Sequence, residues 1–108
     1  MAMTVVVTRN ASGRIRGYLT SCMCEIAPGV YTAPTMNVSL RTHVWNVLTS
    51  WWSPRDDVSI VMTWPEKSAP GHQRILTLGS PRTEVVVLDG VHASRRDLPT
   101  ALASVLAR

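Results

Sequence analysis

Seven carboxylates could do acid–base or metal chemistry: Glu25, Asp56, Asp57, Glu66, Glu84, Asp89 and Asp97. A hydrolytic metal site needs hard oxygen ligands brought together. Only Asp56 and Asp57 are adjacent, in a Pro-Arg turn ahead of an apolar segment. Neighbouring strand positions point to opposite faces, so that pair offers at most one ligand and one bystander, and it reads as a solvated turn. His43, His72 and His92 have no metal-ligand spacing and no H-E-x-x-H context. They read as ordinary surface or satisfied histidines. No serine sits in a G-x-S-x-G elbow, and there is no Gly-rich phosphate loop. Cys22 and Cys24 make neither a C-x-x-C nor a disulfide framework and read as half-buried apolar residues. No catalytic residue, metal ligand or cofactor is expected from these sets.

The basic residues have more pattern. Eleven Lys and Arg face seven Asp and Glu, a net charge of +4, and Lys67 is the one lysine. Arginine presents a planar fork that matches phosphate oxygens, and a basic chain favours polyanions. Arg9 ends the first apolar segment, and Arg14 and Arg16 fall in the first turns of the helix that follows. A helix N-terminus offers free N–H groups and a partial positive charge, so anions are welcome there. One phosphate backbone could lie across this edge. A solvated, positively charged face is the other reading, and the residues alone leave both open.

These positions depend on the elements that carry them. Met3 to Thr8 is short, β-branched and apolar, and predicts a buried strand. Ser12 is an N-cap for a helix whose apolar face is Ile15, Leu19, Cys22 and Met23. Cys24 to Ile26 and Val30 to Ala33 predict strands about a Pro28-Gly29 turn. Asn37 caps a second helix with Leu40, Val44, Val47, Leu48, Trp51 and Trp52 at helical spacing, closed by Pro54. Val58 to Trp64, Ile75 to Leu78 and Glu84 to Leu88 predict three more strands, with a polar loop over 66–72. Asp97 caps a terminal helix with one apolar face, Leu98, Ala101, Leu102, Val105 and Leu106. That face needs a partner surface, within a dimer or on another protein.

The order is strand, helix, strand, strand, helix, strand, which predicts an α+β, ferredoxin-like (βαββαβ) domain with extra C-terminal strands and a short C-terminal helix. Residues 1–92 are expected to form that domain and its strand extension, and residues 93–108 a tail with the helix. A chain of 108 residues with 45% hydrophobic content fits one folded domain and argues against disorder. No apolar run approaches the roughly 20 residues of a membrane span. Met3 to Val7 is too short for a secretory signal. A soluble, cytoplasmic protein is expected.

A ferredoxin-like fold with basic residues also suggests an RNA-recognition module, which stacks bases on aromatics in its central strands. Here the first strand offers valines, there is no Phe, and the signature of that module is absent. Trp45, Trp51 and Trp52 lie on a helix and read as core or interface residues.

Together, Met3-Thr4-Val5-Val6-Val7-Thr8-x-Asn10, Arg14-Ile15-Arg16-Gly17, Gly29-Val30-Tyr31, Trp45, Val61-Met62-x-Trp64, Leu78-Gly79 and Leu88-Asp89-Gly90 resemble the CRISPR-associated protein two family, in its type I-E branch. The resemblance covers roughly residues 1–92 and rests on the ensemble, since no single motif is specific. It implies a homodimer that sits between dimers of the CRISPR-associated protein one integrase and helps capture new spacer DNA. It implies a mainly structural role, with arginines on duplex phosphates: Arg14, Arg16 and, by resemblance only, Arg82. It also implies that the segment Glu84, Val85, Val86, Val87, Leu88, Asp89 docks on the integrase, for which strand addition is a mode. Members of the family described as metal-dependent nucleases carry a carboxylate at the end of the first strand, where this chain has Arg9. A cation repels Mg²⁺, so Arg9 argues against nuclease activity and is expected to add a phosphate contact instead. The alternative is a Mg²⁺- or Mn²⁺-dependent endonuclease acting on DNA or RNA, with ligands from Asn10 and carboxylates elsewhere.

Overall fold

A computed structural model describes residues 3–79 and 83–96 of the chain. The valine-rich start forms β1 (Thr4–Arg9). Ser12 then caps α1 (Gly13–Cys22), its hydroxyl accepting from the Ile15 N–H. Two short strands, β2 (Cys24–Ala27) and β3 (Val30–Ala33), follow. Asn37 caps α2 (Val38–Trp51) by accepting from the Leu40 N–H at 2.8 Å. The chain continues through β4 (Ser59–Pro65), a single 3₁₀ turn at Pro70–His72, and β5 (Gln73–Leu78). These strands make one antiparallel sheet in the order β2-β3-β1-β4-β5. A mixed α+β domain of this order is compatible with a ferredoxin-like fold with an added edge strand.

Strand alternation decides which face is covered. Val6 lies opposite both Tyr31 and Met62, and Thr8 lies opposite Ile60, so these side chains share one face. Ile15 and Leu19 of α1 and Val44 and Leu48 of α2 pack on that face, and Val6, Leu19, Tyr31, Val44, Leu48, Ile60 and Met62 are fully buried. Both helices therefore cover the same side. The other side carries Val5, Val7, Val30, Val61 and Ile75 at alternate positions. Val7 is 42% exposed, and the other four are partly buried.

Leu40, expected in the apolar stripe of α2, is 39% exposed, while Arg41 beside it is buried. The stripe predicted from spacing was one residue too wide at its N-terminal end. The strand expected over 58–64 lies at Ser59–Pro65. The polar loop over 66–72 contains the 3₁₀ turn.

Beyond the main sheet, β6 (Thr83–Leu88) and β7 (Val91–Arg96) form a separate two-stranded hairpin. Leu88 pairs with Val91 across Asp89 and Gly90, which both have positive φ, 51° and 75°. That is a two-residue turn of the type Asp-Gly favours, with a twist that matches the strands. No element was predicted over 91–96, so β7 is a finding, and it runs across residue 92. The hairpin meets the main sheet where His92 Nε2 lies 2.8 Å from the Gln73 carbonyl oxygen. The helix expected from Asp97 onward lies outside the described residues.

The β2–β3 turn makes one sharp prediction. Gly29 has φ +76°, and a Cβ there would sit 2.6 Å from the Thr8 carbonyl oxygen. The same glycine's carbonyl accepts from the Thr8 N–H at 2.7 Å. Gly29→Ala should cost about 1–3 kcal/mol through the left-handed backbone and the clash together. Urea unfolding would show it as a lower midpoint; an unshifted midpoint would mean the turn is not as described.

Candidate nucleic-acid interface

The edge in question is built where β1 hands over to α1 and where α2 ends. Ser12 satisfies one orphan amide of α1, and the first turn of α1 contains no acidic residue. Its positive end therefore has no carboxylate of its own turn to neutralise it. Arg14 and Arg16 lie in the first turns and are both exposed. Two positions apart on a helix is about 200° of rotation, so they leave opposite flanks of α1.

Arg14 is held against α2. Its Cζ lies 3.9 Å from the centroid of the Trp51 ring. Trp51 is itself braced by Tyr18, whose ring meets it edge-on with centroids 5.4 Å apart and planes 74° apart. Stacking covers a face of the guanidinium and leaves its in-plane N–H groups available to oxygen acceptors. Burial raises the Tyr18 pKa, with Cys22 adding to the rise.

Arg16 leaves on the side of β2 and β3. The Tyr31 hydroxyl is buried there without a hydrogen-bond partner among the described residues. Burial is the main cause of its raised pKa; the Glu25 carboxylate adds to the rise and the Arg16 guanidinium opposes it. Both charged groups stand near the hydroxyl, and neither closes a hydrogen bond to it.

Arg9 is exposed but not alone. One of its guanidinium nitrogens lies 3.0 Å from Asp57 Oδ1, and the two side chains are 63% and 84% exposed. Asn10, with φ 60°, donates from Nδ2 to the Asp57 carbonyl oxygen at 2.9 Å. The end of β1 is thus clasped to the approach of β4. So exposed an ion pair contributes about 0–1 kcal/mol, and a phosphate can compete for the guanidinium. Asp57, expected as a solvated turn residue, is the partner of Arg9. A cavity of about 310 Å³ opens beside this pair, with Arg55, Trp52 and Gly79 on its walls. Trp52 donates from Nε1 to the Val58 carbonyl oxygen at 2.9 Å, which fixes the loop between α2 and β4.

Arg14 is thus presented at the start of α1 against Trp51, Arg16 on the opposite flank of the helix, and Arg9 at the end of β1 on Asp57, while Arg82 lies outside the described residues. In the segment from Glu84 to Asp89, β6 places the backbone in the hairpin, Val87 is 48% exposed, and Asp89 forms the turn. The side chains of Glu84, Val85, Val86 and Leu88 lie outside the described set. Among the described residues, no three His, Cys, Asp or Glu side chains gather as a metal ion would require. Cys22, whose pKa is raised chiefly by burial, and exposed Cys24 are both free thiols. No helix among the described residues is long and apolar enough to cross a membrane.

Two contributors were invisible in the sequence. Trp51 supports Arg14 across 37 positions of chain, and Asp57 reaches Arg9 across 48. No local periodicity signals a pairing at that separation. Residues 3–92 match the family model described as CRISPR-associated protein (Cas_Cas2CT1978), most of the 108-residue chain. That agrees with the residues that suggested the resemblance, and the chain belongs to this Cas2-like family of CRISPR-associated proteins.

Proposed function

We propose that this protein is a non-catalytic, duplex-DNA-binding scaffold of a type I-E CRISPR spacer-acquisition complex, working in the cytoplasm as a homodimer with the CRISPR-associated protein one integrase. Family membership supports a role in CRISPR adaptation. The observation that carries the scaffold reading is Arg14: exposed, stacked on Trp51, and standing at a capped helix start with no acid in its first turn. Such a group meets a phosphate without ordering a floppy side chain first. Arg16 widens the contact, and Arg9 joins it when a phosphate displaces Asp57.

The endonuclease alternative finds a poor ligand set here. The position at the end of β1 is a cation, and its guanidinium already engages Asp57. The Asn10 amide nitrogen is turned to a backbone carbonyl. A divalent ion would have to displace Arg9 and then rely on few charged oxygens. The helix-free sheet face, with Val5, Val7, Val30, Val61 and Ile75, supports the homodimer, since two such faces bury one another's apolar atoms. Exposed Val87 and the separate β6–β7 hairpin support strand addition to the integrase.

The test uses the assembled complex and duplexes of unrelated sequence. Log affinity should fall linearly with log salt, with one slope for all sequences, because phosphate contacts release counterions without reading bases. The protein should leave the duplexes intact with Mg²⁺, with Mn²⁺ and with chelator. Metal-dependent cleavage lost on changing one carboxylate would overturn the scaffold reading in favour of the enzyme. Preference for single-stranded RNA over duplex DNA would overturn it in favour of an RNA-binding module.

A further inference from the structure

The N-terminal end of α2 holds a charge that the DNA contact does not use. Arg41 ends the first turn of α2 and is only 8% exposed. Its Cζ lies 4.1 Å from the centroid of the Trp64 ring. Among the described residues no carboxylate is within ion-pairing distance of it. The nearby acid, Glu66, is engaged by Arg74 Nε at 2.9 Å. The Trp64 indole Nε1 beside it is buried with no hydrogen-bond partner among the described residues. Arg41 and Trp64 border one cavity of about 210 Å³, which Trp45, Met62 and Leu76 help to wall.

An arginine so largely buried, with no carboxylate paired to it among the described residues, is costly to hold, and a ring face offsets only part of that cost. The positive end of α2, which has no acid in its first turn, adds to the local potential. Glu66, the carboxylate on the cavity wall, is held by Arg74, which leaves the Arg41 guanidinium without an anionic partner among the described residues. We propose that it receives a single carboxylate, the side chain of an Asp or Glu presented by a protein partner. The cavity is smaller than the roughly 300–1,000 Å³ of pockets for drug-sized ligands. Its apolar walls suit the methylene stem of an acidic residue. A duplex phosphate lies on a broad, stiff rail that cannot follow Arg41 into a recess of this size, and Glu66 at the wall is already engaged by Arg74. Arg41 and Trp51 are ten residues apart on α2, about 15 Å along its axis. The carboxylate site is thus separate from the edge proposed for DNA and does not rest on that proposal.

The experiment is an NMR titration of the ¹⁵N-labelled full chain, following the indole N–H signals at constant ionic strength. The probe is N-acetyl-glutamate amide, whose only free acid is the side chain. The Trp64 signal should move saturably, with half-saturation at about 1–10 mM for so small a ligand. N-acetyl-glutamine amide should leave it in place. Arg41→Lys should weaken the response at least tenfold, because an ammonium lacks the fork, and Arg41→Gln should abolish it. If Arg41→Gln does not fold, the glutamate and glutamine probes on the unaltered protein decide the matter alone. No saturable movement with the glutamate probe overturns the proposal. So does a tighter response to inorganic phosphate, which would make the cavity a phosphate site.

Discussion

Leu48→Ala should lower the free energy of unfolding by about 2–5 kcal/mol, while Leu40→Ala on the same helix should change it by less than about 0.5 kcal/mol. The two substitutions alter the same helix by the same chemistry, so intrinsic propensity cancels between them. Only burial differs. Leu48 is fully buried in the cluster that joins α2 to β1, β3 and β4, and Leu40 is 39% exposed. Removing Leu48 leaves a void that close-packed neighbours fill only in part. Domains of this size are stable by about 5–15 kcal/mol, so the loss is a large share of the whole. Urea unfolding at one protein concentration, with an unchanged slope, would measure it. Equal costs at the two positions would mean that α2 packs on a different face.

That contrast also shows what could and could not be read from the residues. Ser12 and Asn37 announce both helices because a short polar side chain before an apolar period has a local job, satisfying a free amide. β1 and β4 are legible from their β-branched, apolar stretches. Which apolar positions of α2 face inward was legible only in part: Val44 and Leu48 do, but Leu40 faces out while Arg41 is drawn in over Trp64. A cation at a core position is stabilised by a ring 23 residues away, and no hydropathy pattern contains that. β7 is a different kind of omission. The Asp89-Gly90 pair is a strong hairpin signal, yet Ser94, Arg95 and Arg96 have no apolar alternation to suggest the returning strand. At the candidate interface, the arginines were visible as types and positions, and the helix start predicted where an anion would be welcome. Their actual settings depend on tertiary structure: a ring under Arg14, a carboxylate on Arg9, and a flank for Arg16 away from Arg14.

Changing Arg14 and Arg16 together to Ala should weaken duplex capture by the assembled complex roughly 60-fold per protomer at 0.1 M salt, if each holds one phosphate. The figure follows from counterion release, in which each phosphate contact contributes about 0.9 to the slope of log affinity on log salt. From 1 M to 0.1 M that is about eightfold for one contact. The slope itself should fall by about 1.8 per protomer, and this distinguishes a lost phosphate contact from general damage, which lowers affinity at every salt concentration alike. Trp51→Leu makes a second cut through the same question. It keeps the charge of Arg14 but removes the ring 3.9 Å beneath it. A contact of that kind is worth about 0.5–1 kcal/mol at an exposed site, so affinity should fall only two- to fivefold and the slope should hold. Asp57→Asn should act in the opposite sense, because it releases Arg9 and deletes a negative charge beside the duplex. The Trp51 effect and the size of the Arg14 and Arg16 effect do not follow from a uniformly basic surface. On such a surface Trp51 would be silent, and removing Arg14 or Arg16 would have no more effect than removing exposed Arg55. An unchanged slope in the double variant would rule out the phosphate contacts, leaving both arginines as solvated charge on a fold that meets its DNA elsewhere.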